Sequence, residues 1–304
     1  MMIIHLKATD RLPVAGLCLC LGFFDGMHPA HRRLFEVTLD LGRSSGAKTG
    51  IMTFSSSILA HIKKQKYDAL TRLEDKINIA RTVGFDYCFI LEVDDDLAGL
   101  PAEVFSDRFL QDSHKLIVGY DYTFGKNASG NVDFLKKKFP SKTVVVDEMQ
   151  YYGKKIGSRR IREALLSGRI GLANRLLGYK YTIRGRVIPG KGRGKSLGYP
   201  TANIDYDGYF LPKIGVYHTL IRIHGLIYDS MTNVGCNPTF GNDIISLETH
   251  VFGITGQLYD EEVEISFERF LREEIGFPAK DKLILQLQKD EQTVKDIIKS
   301  RRKL

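Results

Sequence analysis

The sequence lacks any run of about 18 uninterrupted apolar residues, the length a membrane-spanning helix requires. The apolar segment 17–24 is too short for a span and has the wrong flanks for a secretory signal, so the expectation is a cytoplasmic protein with no membrane partner. Cysteine is scarce. Cys18, Cys20, Cys88 and Cys236 form no C-x-x-C pair, which leaves neither a recognisable zinc site nor a disulfide framework and favours buried thiols. Internal repeats and low-complexity stretches are absent as well. A hydrophobic content of 43% with 26% charged residues excludes intrinsic disorder and collagen-like architecture. The net charge of +8 is only weakly informative, because residues 279–304 alone carry +4, with eight Lys or Arg against four Asp or Glu. That segment reads as an amphipathic helix with Leu283, Leu285, Leu287, Val294 and Ile297 among lysines. A solvated basic face explains it better than a nucleic-acid surface, and no RNA-reading aromatic pattern is present. The remaining positive charge can still attract small polyanions such as nucleotides.

What is present is 304 residues, enough for two domains of roughly 100–200 residues each. In the first half, short apolar runs at 17–23, 50–54, 87–91, 115–118 and 142–146 alternate with helical periodicity after residue 31, at 71–83 and at 101–110. This alternation predicts a parallel sheet covered by helices on both faces, with ligands beyond the carboxyl ends of its strands. Two short helices follow over 158–177, ending at Gly168 and Gly178. From residue 181 the texture changes to short alternating β-branched and aromatic runs punctuated by Gly, Asn and Pro, as in YTIRGRVIPG, GVYHTLIRIHG and EVEISFERFL. These predict an antiparallel barrel with the tail helix beside it. The expected domains are 1–180 and 181–304.

The run GFFDGMHPAH places His28 and His31 at a strand-to-helix junction, where free backbone N–H groups and the helix dipole favour anions. Imidazoles there can donate to phosphate oxygens and stabilise charge as pyrophosphate leaves, although an isolated H-x-x-H is more often an ordinary pair of histidines. The run resembles the G-x-F-D-x-x-H-x-G-H signature of the nucleotidyltransferase superfamily. With LTRLEDKINIARTVGFD and VGYDYTFGKNASGN downstream, this half resembles the adenylyltransferase part of the bifunctional bacterial riboflavin kinase/FAD synthetases. The resemblance implies a Rossmann-like domain in which FMN attacks the α-phosphate of ATP to give FAD and pyrophosphate. It further implies that His28 and His31 contact the ATP phosphates and that Gly22, Phe24 and Asp25 shape the nucleotide pocket. Tyr120, Asp121, Phe124 and Gly125 would line the flavin or adenine region. Ser158 and Arg162 fall on the positions of the family's I-S-S-T-x-x-R segment. Three departures meet in this site: Ala30, preceded by Pro29, replaces the glycine of H-x-G-H; Gly157 and Arg159 alter I-S-S-T-x-x-R; and SSSILAH follows Phe54 where an acidic, proline-containing stretch is expected.

In the second half, Gly190, Gly192, Gly194 and Gly198 are interleaved with Lys191, Arg193 and Lys195, a flexible basic loop whose N–H groups can surround phosphates. It is not a Walker A motif, since Pro189 occupies the position of the required first glycine. A Gly-rich turn between strands is the bland alternative. Thr201 and Asn203 follow on alternate positions of an extended segment, so both oxygens face one way and suit Mg²⁺ beside phosphate. Glu248, between apolar neighbours in ISLETHVF, is the candidate base for an attacking alcohol, with an outward strand position as its bland alternative. GRVIPGKGRGKSLGYPTANI, NVGCNPTFG, LETHVF and FLREEIGF together resemble the riboflavin kinase module, a six-stranded barrel in that family. The resemblance assigns Mg²⁺ binding to Thr201 and Asn203, base catalysis to Glu248 and ATP coverage to the loop from Gly190 to Gly198. It places Asn233, Pro238, Thr239 and Phe240 beside the nucleotide and Arg272 on a flap near the isoalloxazine.

The leading expectation is therefore a monomeric or weakly oligomeric enzyme that turns riboflavin into FMN and FMN into FAD with ATP and Mg²⁺. A riboflavin kinase with a degenerate first domain is the alternative. A flavin- or RNA-binding regulator without turnover is the reading from a different class.

Overall fold

The computed structural model describes residues 1–190, 194, 197–254 apart from 238–243, and 256–301, with the side chains of residues 236, 237 and 244 left aside. The chain divides into two compact units, Met1–Arg160 and Ile161–Leu304.

The first unit is built on six parallel strands: β1 (Met2–Leu6), β2 (Cys18–Leu21), β3 (Thr49–Phe54), β4 (Tyr87–Leu91), β5 (Lys115–Gly119) and β6 (Thr143–Val146). Their order in the sheet is β1-β4-β3-β2-β5-β6. The central strand β2, CLCL, is wholly buried because it is paired on both edges and covered on both faces. Alternate residues separate into two cores. Leu19, Leu21, Met52, Phe89 and Leu116 pack on one face. Cys18, Cys20, Ile51, Cys88 and Ile117 pack on the other. The thiols of Cys18, Cys20 and Cys88 are free and buried, as their scarcity and scatter suggested.

Helices α1 (Pro29–Ser45), α2 (Leu73–Val83), α3 (Ala102–Phe109) and α4 (Val132–Lys138) connect the strands. Sequence periodicity anticipates all of these elements except β1 and α4. Helix α4 spans seven residues, too few to display a period, and is started by Asn131, whose side chain accepts from Phe134 N at 2.9 Å. After β2 the chain moves through β3 and β4 to one side; β5 then returns to the other side of β2. The sheet thus has a topological switch point between β2 and β5, where open parallel sheets place ligands.

The second unit opens with α5 (Ser158–Leu166), which straddles the division, and α6 (Ile170–Leu177). Six antiparallel strands follow: β7 (Thr182–Ile188), β8 (Ala202–Asp205), β9 (Gly215–Ile223), β10 (Leu226–Asn237), β11 (Ile244–Val251) and β12 (Glu262–Arg272). They close into a barrel in the order β7-β8-β11-β10-β9-β12. Ile183, Tyr217, Ile221, Leu247, Ile265 and Phe267 fill its interior. Four buried hydroxyls satisfy one another there, with Thr219 to Thr232 at 2.6 Å, Thr232 to Thr249 at 2.9 Å and Thr219 to Ser230 at 2.8 Å.

The tail helix α7 (Lys280–Arg301) buries Val294, as its periodicity suggests. Leu285, expected on the apolar face, is 51% exposed, and Asp290 is buried instead. The cause is an ion pair: Arg272 Nη2 lies 2.7 Å from Asp290 Oδ2 and the guanidinium Nε approaches both carboxylate oxygens. A fork held this way turns a charged residue inward on a helix whose pattern alone would leave it outside. Among the described residues no helix is long and apolar enough to cross a membrane.

Candidate functional sites

The loop from Gly22 to His28 leaves the carboxyl end of β2 at the switch point and is bound tightly from below. Phe24 and Met27 hold φ angles of 55° and 40°, Gly26 of 86°, so the turn is formed by residues in the left-handed region. A Cβ on Gly22 would stand 2.7 Å from the Phe24 ring, which explains the glycine by close approach. The Phe24 ring is buried and packs edge-on against His31 and Phe35. Asp25, 2% exposed, is occupied by structure: its carboxylate accepts from Leu70 N at 2.8 Å, Thr71 N at 3.2 Å and the Tyr67 hydroxyl at 2.8 Å. Ser158 donates its hydroxyl to the Asp25 carbonyl at 2.7 Å. Gly22, Phe24 and Asp25 thus set the shape of the loop from within, and Ser158 holds it from outside.

His28 caps α1 with Pro29 at its first position, the place where the missing proline N–H is harmless. Ala30 therefore lies in regular helix, and the substitution that stood out in the sequence requires no unusual backbone. His28 and His31 stack with ring centroids 3.7 Å apart. Burial pushes the His28 imidazole down to about 4, against the attraction of Asp25, and holds His31 well below its ordinary value. Both rings are neutral at pH 7, and the Nδ1 of each is buried without a hydrogen-bond partner. The pair thus offers an anion neutral dipoles rather than two mutually repelling cations.

Across the switch point, the chain leaving β5 supplies Tyr120 and Asp121. Asp121 pairs with Lys155, whose ammonium also lies 4.9 Å from the centre of the Tyr120 ring. Asp121 and Lys155 both act electrostatically on His28, which joins the two sides of the crevice. Of Phe124 and Gly125, expected at the same wall, the first is buried and the second half-buried. Phe124 is 5% exposed among Phe105, Phe134 and Tyr122, and a Cβ on Gly125 would collide with Ala102. Arg162 lies in the second unit, its guanidinium 4.4 Å from the centre of the Phe210 ring. Beside Arg159, Arg160 donates to the carbonyls of Tyr151, Lys154 and Lys155 and so ties down the hairpin formed by the strands Gln150–Tyr151 and Lys154–Lys155. The SSSILAH segment forms a short helix, Ile58–Ile62, started by Ser57. Sequence reasoning passed over Lys76 and Lys155. Lys76 carried a signal: it shares the buried face of α2 with Leu73, Ile77 and Ala80, a position where a lysine is costly without a partner.

The second site is a cavity of about 320 Å³ in the barrel unit, whose lining includes Gly194, Thr201, Asn233, Glu248 and Arg272. Strand register assembles it. Asn203 of β8 and Asn233 of β10 both pair with Glu248 of β11, so the three side chains stand abreast on one face of the sheet. Thr201, two residues before Asn203, shares that face and brings Oγ1 to 3.5 Å from Glu248 Oε2. Glu248 is half-buried, and Ser246 Oγ lies 3.4 Å from its other oxygen. Asn233 donates to Glu274 at 3.3 Å, while its Oδ1 is buried without a partner.

A Cβ on Gly190 would run into the Asn203 amide, and one on Gly194 into the Tyr199 carbonyl, so both glycines permit the close passage of the loop. Gly198 has φ of 79°. Arg272 lines the cavity while held by Asp290. Lys191, Gly192, Arg193, Lys195, Pro238, Thr239 and Phe240 lie outside the described residues. Tyr199, His250, Leu283 and Leu287 are among the other lining residues and were not anticipated as site residues. Among the described residues no three His, Cys or carboxylate side chains gather as a metal cluster.

An imidazole pair at the switch point of a parallel sheet and, in the barrel unit, a carboxylate among neutral oxygens are arrangements suited to an enzyme that acts on phosphate esters. The FAD synthetase family model matches residues 13–160 and the riboflavin kinase model residues 177–298. The bifunctional riboflavin kinase/FMN adenylyltransferase of Listeria monocytogenes is 35% identical over 298 residues, covering 95% of this chain and 94% of that protein. The Bacillus subtilis protein of the same description is 31% identical, covering 90% of each. A solved Streptococcus pneumoniae structure described as a macrolide-efflux protein superposes with a TM-score of 0.87 at 29% identity, covering 97% of this chain and 99% of that one. The chain belongs to the bifunctional riboflavin kinase/FMN adenylyltransferase family.

Proposed function

We propose that this chain makes FAD from riboflavin in two ATP-dependent steps, with phosphorylation in the barrel unit and adenylylation in the parallel-sheet unit. The functional boundary is proposed near residue 180, with 1–180 serving adenylyl transfer and 181–304 the kinase. The observation that carries the kinase reading is the register placing Asn203, Glu248 and Asn233 abreast beside Thr201. In this reading Glu248 orients the terminal ribityl hydroxyl and accepts its proton as that oxygen bonds the γ-phosphorus and the bond to the β-phosphate oxygen breaks, releasing ADP. Thr201 and Asn203 present neutral hard oxygens, which suit Mg²⁺ sharing its shell with water and substrate phosphates. Bound there, the ion would neutralise charge on the transferring group. Gly190 to Gly198 cover the nucleotide, and Arg272 stands at the flavin side.

In the first unit, the FMN phosphate attacks the α-phosphorus of ATP, and the bond to the bridging oxygen breaks to release pyrophosphate. Neutral His28 and His31 hold phosphate oxygens by donation, and Tyr120 and Asp121 border the flavin or adenine. The placement of Ala30 in regular helix supports retention of this step over a kinase-only enzyme. Incubation with riboflavin, ATP and Mg²⁺, and in parallel with FMN, followed by chromatographic separation of flavins, tests both steps. FAD from both reactions is expected. FMN as the sole product would leave the kinase alone, and no conversion would overturn the reading.

A further inference from the structure

Lys76 is a lysine at the centre of a core face. It is 4% exposed, on α2, and its ammonium lies 3.9 Å from the centre of the Phe23 ring. Its Nζ donates to the Phe23 carbonyl at 2.7 Å, and that same carbonyl accepts from the Thr53 hydroxyl at 3.2 Å. Phe23 immediately precedes the strained turn of Phe24 to Met27 that delivers His28 and His31. The groups around the ammonium are few. Asp25 attracts it, the Cys88 thiol lies within electrostatic reach from β4, and His31 is pushed further toward neutrality by it. Asp25 is already committed to Leu70, Thr71 and Tyr67. The burial of an ammonium against a carbonyl and a ring is costly unless the charge serves something else.

We propose that Lys76 is a positioning residue for adenylyl transfer, its ammonium pinning the Phe23 carbonyl and supplying a fixed positive charge beneath the loop that receives the ATP phosphates. The proposal rests on the assignment of adenylyl transfer to the His28 and His31 site. The charge acts through the loop, and the neutral Thr53 bond keeps the carbonyl held when the charge is removed. Burial brings the Lys76 ammonium down to about 8, so the charge is present at pH 7 and lost over the next two units of pH or so.

The test uses the full chain, assayed for both reactions in the same preparation. Lys76→Met is expected to lower kcat/KM for FAD formation from FMN about 10- to 100-fold while riboflavin phosphorylation is unchanged. Lys76→Arg, if it folds, restores most of the loss. In the wild type, kcat/KM for FAD formation falls on the alkaline side with an apparent pKa near 8, whereas the Lys76→Arg enzyme holds its rate to higher pH. The kinase reaction shows no matching limb. A wild-type rate in Lys76→Met, or an alkaline limb identical in wild type and Lys76→Arg, overturns the proposal. If Lys76→Met fails to fold, the two pH profiles decide alone. His28→Gln separates the underlying assignment: full adenylylation by that variant would overturn the site itself, whereas its loss beside an indifferent Lys76 would overturn only the role given to the lysine.

Discussion

The two sites of this chain hold their functional groups by different means. In the parallel-sheet unit they lie where a loop meets helices, His28 and His31 at the start of α1 and Lys76 on α2, and burial sets their charge: His28 is pushed down to about 4 and Lys76 to about 8. In the barrel unit they lie on strands, and hydrogen-bonded register sets their spacing, with Asn203 and Asn233 flanking Glu248. A loop can enclose a ligand but needs anchors such as Asp25 and Ser158 to hold its shape. A strand face needs no such anchors, because the ladder that makes the barrel also fixes the side chains abreast. The lesson is that adenylyl transfer should be sensitive to proton uptake and remote packing, and phosphorylation to the loss of individual oxygens.

The sharpest break between the two comes from Glu248→Gln. It is expected to reduce riboflavin phosphorylation by about 10²- to 10⁴-fold while FAD formation supplied with FMN is unaffected, as read from product chromatography. His28→Ala should do the reverse, lowering FAD formation about 10²- to 10³-fold with normal FMN production. A variant that lowered both activities together would erase the comparison.

Acid should act selectively on the first unit. The folded state holds His28 near 4 against an ordinary value of 6.5, so the unfolded chain binds the extra proton between those values. Stability falls as pH drops through that window, by about 3 kcal/mol in all from this residue, and His31 adds to the loss with the same sign. Thermal unfolding followed from pH 7 to pH 4 checks this, and His28→Gln should flatten the slope. The smallest effect is expected for Gly190→Ala. Its methyl would displace the Asn203 amide, raising the KM for Mg²⁺ and ATP by about tenfold at a stability cost of roughly 1–3 kcal/mol, read from kinetics and a thermal melt.

Much of the fold was legible because it rests on local periodicity. The apolar runs of β2 to β6 and the alternation of the barrel strands are written in adjacent residues. Strand β1 and helix α4 escaped because an edge strand and a seven-residue helix carry too little pattern. Within the sites, His28, His31, Thr201, Asn203 and Glu248 stood out by motif. Phe124 belongs to the same kind of motif yet faces the core, since a motif names neighbours in the chain and not the direction of a side chain. Ala30 misled in the opposite sense: a residue that looked like damage falls in a helical turn that suits alanine.

The sequence by itself determined the two-part architecture, the family and the candidate residues of each site, because these depend on composition, spacing and short-range pattern. Only the tertiary structure decided which of those groups are charged, which are occupied in holding the chain and which distant residues join them. Lys76 reaches Phe23 across 53 positions of sequence and Arg272 finds Asp290 on the tail helix. Desolvation and long-range contact arise only when the chain is packed, so no reading of neighbouring residues contains them.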